Sequence, residues 1–129
     1  TIDSMDVRCG GPDATAQSLS GGNLQKFIVG RELALRPKVL IASQPTWGVD
    51  VGAAAAIRQK LIDLRNEGAA ILIVSEEIEE IFEICDNIQV MFRGQLSSPV
   101  QVQTTSIDDV GLAMAGDFAA LAGREAAHG

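Results

Sequence analysis

The stretch Leu19-Ser20-Gly21-Gly22-Asn23-Leu24-Gln25-Lys26 decides how the rest of the chain is read. Ser20 followed by two glycines opens a segment in which Leu24, Phe27 and Ile28 recur at helical spacing, and Pro37 closes it. The spacing predicts a helix over 21–35, with Ser20 as its cap. A helix start built of glycines leaves its first N–H groups uncovered at the positive end of the helix dipole, an arrangement that accepts phosphate. A Cβ there would hold the phosphate away, so both glycines belong at the surface of such a site. Taken alone, a Ser-Gly-Gly start is more often a plain cap; the surrounding sequence decides between the two.

Outward from this helix, strands and helices alternate. Val39–Ser43 and Ala70–Ser75 are short runs, almost wholly apolar, that predict strands covered on both faces. Between them Asp50 can cap a helix through Asn66, with Ile57, Leu61 and Leu64 on one face and Gly68 as terminator. Glu77–Cys85 is an acidic helix with Ile78, Ile81, Phe82 and Cys85 on one stripe and a solvated face along the acidic run Glu76–Glu83. Ile88, Val90 and Phe92 alternate with Gln89, Met91 and Arg93 as a third strand before a turn at Gly94. Ser106 and Asp109 start a last helix toward Ala115. Residues 1–18, with Gly10, Gly11 and Pro12, read as mostly loop. The alternation defines an α/β fold with a mainly parallel sheet flanked by helices and right-handed crossovers.

With these elements in order, the chain resembles a nucleotide-binding domain of ATP-binding cassette (ABC) transporters over residues 17–94. Leu19–Asn23 resembles the family's signature motif, with Asn23 in the place of its usual Gln. Val39–Ser43 with Gln44-Pro45-Thr46 looks like the Walker B strand and its exit, and Gly48-Val49-Asp50 like the D-loop. The wording, together with Val110–Gly116, is most similar to the second cassette of double-cassette importers of simple sugars and nucleosides. The resemblance implies a partial P-loop-NTPase-like fold. Residues 1–116 would be the C-terminal half of the domain and 117–129 a tail. No Gly-x-x-x-x-Gly-Lys-Ser/Thr occurs in the 129 residues, so the expectation is a fragment whose P-loop half lies before Thr1.

The departures from the family pattern are as informative. Where catalytic cassettes carry an Asp for Mg²⁺ and a Glu for the attacking water, this chain has Ser43 and Gln44. Glu76 stands where the switch histidine would be and brings negative charge to a γ-phosphate that calls for a donor. Losing general-base help alone costs on the order of 10²–10⁴ in rate. The resemblance therefore implies two sites of unequal quality. Ser20, Gly21, Gly22 and Asn23 complete the ATP site of an opposite cassette in trans, with Gly48, Val49 and Asp50 at the interface. The chain's own site, marked by Ser43, Gln44 and Glu76, is degenerate.

The implied cofactors are ATP and Mg²⁺ in the intact protein, with none bound by this chain alone and no protein-held metal. The implied partners are another cassette, membrane permeases and, indirectly, a solute-binding protein, at the cytoplasmic face of the membrane. Two other functions fit the same motifs: a soluble ABC-type ATPase of translation or repair, and a noncatalytic regulatory module. Composition sets outer bounds. Apolar residues are 47% and charged residues 21%, a globular balance, and the net charge of −7 disfavours nucleic acid as a partner. Cys9 and Cys85 lack metal-ligand spacing and read as free thiols, and His128 is too close to the end to suggest catalysis. Trp47 fits either the cassette interface or a packed core. Asp50 fits a contact to the opposite cassette or a helix cap. Lys26, Arg31 and Lys38 read as solvated surface cations.

Overall fold

A computed structural model describes residues 1–122; His128 and the rest of the tail beyond Ala122 lie outside the described residues. The elements in order are α1 (Gly21–Ala34), β1 (Val39–Ser43), α2 (Val51–Asn66), β2 (Ala70–Val74), α3 (Ile78–Ile84), β3 (Asn87–Ile88), β4 (Met91–Phe92), β5 (Gln95–Leu96), β6 (Val100–Gln101), α4 (Ile107–Met114) and α5 (Ala119–Ala122). Short 3₁₀ turns occupy Asp3–Met5, Ala16–Ser18 and Val102–Thr104. The chain forms two compact units, Thr1–Ser75 and a second beginning at Glu76.

In the first unit β1 and β2 pair in parallel, Val39 opposite Ala70 through Ser43 opposite Val74, with α2 as the crossover. Ile57, Leu61 and Leu64 form the buried stripe of α2, as their spacing requires. Gly68, at φ +101°, ends the helix: its N–H bonds the Arg65 carbonyl at 2.9 Å and that of Ala69 bonds Leu64 at 3.2 Å. Three features here go beyond or against the sequence reading. Residues 1–18 are mostly loop apart from the two 3₁₀ turns, as expected, but Met5 and Val7 are buried. The buried residues of helix α1 are Lys26 and Gly30, and Ile28 is exposed. Gly22, Lys26 and Gly30 lie four residues apart on one face. A Cβ on Gly30 would collide with the Met5 side chain. Finally, the sheet is covered on one face only. Leu40 is buried, while Val39 (65% exposed), Ile41 (70%), Leu72 (57%) and Val74 (53%) share the other face.

In the second unit Ile88, Val90, Val100, Val110, Ala113 and Leu121 form the core, with Ile78, Ile81, Phe82 and Phe118 packed against it. Ile88 and Val90 point inward and Gln89 and Met91 outward, the predicted alternation. The stretch is nevertheless broken into two antiparallel ladders, β3 with β6 and β4 with β5, and does not join the parallel pair. Ser97 makes the break: its hydroxyl accepts the Val90 N–H at 2.9 Å. Arg93 (φ +47°) and Gly94 (φ +77°) close the β4–β5 hairpin with the two positive φ angles that match strand twist. Helix α4 starts as read, with the Ser106 hydroxyl accepting the Asp109 N–H at 3.1 Å. The acidic run is not wholly solvated, since Glu80 is buried. No helix among the described residues is long and apolar enough to cross a membrane.

An apolar sheet face left open seeks a partner. The chain is expected to self-associate with rising concentration in sedimentation equilibrium, and Ile41→Lys with Leu72→Glu to return it to monomer. A compact monomer of the unaltered chain at every concentration overturns this.

Candidate functional site

Ser20 is the N-cap of α1 with extended backbone, its hydroxyl accepting the Asn23 N–H at 3.4 Å. Asn23 closes the turn a second time, donating its amide to Ser20 Oγ at 2.9 Å, and its Oδ1 accepts the Arg8 N–H at 2.9 Å. Both ends of the Asn23 side chain are thus engaged within the chain, which makes it a brace for Ser20. Among the described residues the N–H groups of Gly21 and Gly22 have no acceptor, as the first N–H groups of a helix do not. Gly21 is exposed, with open space where a Cβ would stand.

Gly22 differs, against the expectation that both glycines lie free at the surface. A Cβ on Gly22 would stand 2.8 Å from the Gly48 carbonyl oxygen and 3.6 Å from Val49 Cα. The loop after β1 therefore packs onto the start of α1, and this contact joins two predicted motifs, 20–23 and 48–50. Gly48 itself, at φ +72°, needs the freedom of a glycine. Gln25, one turn along α1, donates its amide to the carbonyls of Gln44 and Pro45, each at 3.0 Å.

Asp50 caps α2, accepting the Ala53 N–H at 2.9 Å. That hydrogen bond, aided by the positive charge of Lys26, holds its carboxyl below the ordinary aspartate value of 3.8 against a smaller opposing effect of burial. Lys26 is not the solvated cation its sequence suggests. It is buried, with its ammonium donating to the Asp6 carbonyl. Asp6 stands at φ +48°, which turns that carbonyl toward the helix. Trp47 is 74% exposed, which rules out a packed core role within this unit.

Ser43 and Gln44 sit at the C-terminal end of β1, the end at which open α/β sheets bind ligands. Gln44 holds a left-handed φ of +50°, uncommon for a residue with a side chain. Its N–H bonds the Val74 carbonyl at 2.7 Å, and Ser75 reaches its Oε1 at a long 3.5 Å. Glu76 is exposed and opens the second unit. Among the described residues no group of His, Cys, Asp and Glu could hold a metal. Reading the motifs found residues 20–23, 43–44 and 48–50 but missed Gln25 and Lys26 as their supports. The signal was present: they lie three and four places after Gly22, on the same helix face.

This is the architecture of part of an ATP-binding cassette. The ATP-binding subunit of an ABC transporter superposes with a TM-score of 0.71 at 19% identity, over 79% of this chain and 46% of that one. In sequence, the chain is homologous to the ATP-binding proteins of sugar and nucleoside importers. It is 45% identical to the guanosine import ATP-binding protein NupO of Bacillus subtilis (strain 168), over 95% of this chain and 24% of that protein. It is 42% identical to the galactose/methyl galactoside import ATP-binding protein MglA of Escherichia coli (strain K12), over 84% of this chain and 22% of that protein. The chain thus spans under a quarter of the length of these curated relatives. No family model matches it.

The two glycines should separate cleanly in urea melts. Gly22→Ala is expected to cost on the order of 1–3 kcal/mol, because the atom in its way is backbone and cannot rotate aside. Gly21→Ala should be neutral or stabilising by up to about 1 kcal/mol. Equal effects would mean the loop does not rest on Gly22. Asp50 should leave a signature in acid. Its folded pKa is the lower one, so its contribution is complete above the unfolded value and is lost as pH falls through the folded value. Asp50→Ala should flatten the melting temperature between about pH 4 and pH 2 relative to the unaltered chain; parallel pH profiles would contradict the cap.

Proposed function

We propose that the chain is the signature-bearing part of the ATP-binding subunit of an importer for a sugar or nucleoside. Ser20 and the N–H groups of Gly21 and Gly22 face the γ-phosphate of ATP held by the P-loop of another cassette, with Asn23 bracing Ser20. Gly48, Val49 and Asp50 line the same interface, where exposed Trp47 also stands. Residues 1–116 are the C-terminal half of the nucleotide-binding domain and the residues after them a tail. The importer's permeases hold the subunit at the cytoplasmic side of the membrane, fed by a solute-binding protein.

The observation that carries this reading is the pair of acceptor-free N–H groups on an exposed helix start. It occurs in a chain 45% identical to a guanosine import ATP-binding protein. Such a start fits a phosphate, since its donors and dipole converge on anionic oxygen. The chain's own strand end does not fit Mg²⁺ held by carboxylates. Ser43 and Gln44 are neutral, and Mg²⁺ favours carboxylate and phosphate oxygens. No step is assigned to metal there. The degenerate strand end binds or senses nucleotide without accelerating its hydrolysis, and the signature turn serves the partner's site. ATP supplies the energy by drawing two cassettes together; this chain's residues position and neutralise the phosphate.

The test uses Gly21, where a side chain meets nothing in the fold. In a longer protein carrying both this chain and a P-loop, Gly21→Glu should reduce ATP hydrolysis and solute uptake at least tenfold, since it sets a carboxylate against the phosphate. The melting temperature should hold. The 129-residue chain alone should give no turnover above blank. Uptake and hydrolysis unchanged by Gly21→Glu would reduce the motif to a helix cap and overturn the assignment.

A further inference from the structure

We infer that Gln25 is a positioning residue whose carboxamide locks the loop 44–50 to the start of α1, so that the signature turn and the loop form one rigid surface. The lock stands on geometry alone; only the use of that surface rests on the functional reading above. Nε2 carries two hydrogens, and each is directed to a different carbonyl, Gln44 and Pro45, both at 3.0 Å. The Gln44 carbonyl also accepts the Trp47 N–H at 3.1 Å, and Val49 N–H bonds the Thr46 carbonyl at 3.3 Å. The acceptor that Gln25 grips is therefore the one that closes the turn.

Gln44 needs such a grip because its left-handed backbone persists only where surrounding contacts over-determine it. On one side its N–H is tied to Val74 in β2; on the other its carbonyl is tied to α1. A second attachment lies one helical turn earlier, where Gly48 O rests on Gly22. Two attachments a turn apart fix the loop in rotation as well as position. Glutamate has the shape of glutamine but only acceptors, and leucine has the bulk without donors, so neither can replace the fork.

The experiment is amide hydrogen exchange on the full 129-residue chain, with fluorescence of Trp47, its only tryptophan. Gln25→Leu should speed exchange of the Trp47 and Val49 amides about tenfold, and Gln25→Glu more, while the amides of Leu61 and Leu64 exchange as before. Trp47 emission should shift in both variants, a change that lost helix stability alone does not produce at an exposed ring. Exchange and emission as in the unaltered chain would overturn the lock. Should the variants not fold, low urea decides on the unaltered chain. Trp47 and Val49 should open in step with Leu24, whereas opening of the loop well before Leu24 overturns the proposal. None of these readouts needs nucleotide or a partner. A failed lock therefore leaves the ATP-site reading standing, and a failed Gly21→Glu test leaves the lock standing.

Discussion

The seat of the Gly48 carbonyl on Gly22 is the constraint on which the rest of the first unit's candidate surface depends. A helix start can present open N–H groups anywhere on a protein. What distinguishes this one is that a second loop is held beside it, and only a residue without Cβ lets that loop so close. Gln25 and Lys26 extend the same face along α1, one gripping the strand exit and the other reaching the Asp6 carbonyl. Asp50, at the end of the loop, then caps α2. From Ser20 to Ala53 the chain is thus a continuous series of backbone contacts, with side chains as the fasteners.

The charges follow the same plan. An acidic chain of net charge −7 buries one of its few cations in its most conspicuous motif. A buried ammonium is tolerated only with acceptors at hand, and the left-handed Asp6 supplies a carbonyl. The Lys26 charge also lowers the pKa of Asp50, so cap and helix face support one another electrostatically.

Much of this was legible in the sequence, and the parts that were not share a cause. Ser20, Asp50 and Ser106 read as caps, and they are caps, because capping is decided within four residues. The α2 stripe of Ile57, Leu61 and Leu64 was legible because apolar residues recur there at helical spacing. In helix α1 the buried residues are Lys26 and Gly30, which no hydrophobic pattern reveals. Met5 and Val7 were invisible for the complementary reason, that a short segment without periodicity can still fill a groove. The strand over 88–92 has the right alternation but not the expected pairing. Alternation records which side faces the core and says nothing of which backbone lies alongside. In the candidate site, Gly22 and Gly21 are alike as letters and unlike in space. The difference is made by a carbonyl 26 positions away.

Different forces hold the strand end at Ser43 and Gln44 and the helix start at Ser20–Asn23. Gln44 is fixed by its backbone: its N–H to β2, its carbonyl to Gln25 and Trp47. These bonds are made by its backbone; its side chain adds a long contact, Ser75 Oγ to Oε1 at 3.5 Å. Substitution of the side chains at 43 and 44 therefore leaves the backbone bonds of the loop, and through them the Gly22 contact, in place. The reverse does not hold. A side chain at Gly22 would displace the loop and carry Gln44 and Asp50 with it. A fold wired this way is more sensitive to change at Gly22 than to change in the side chains at the strand end.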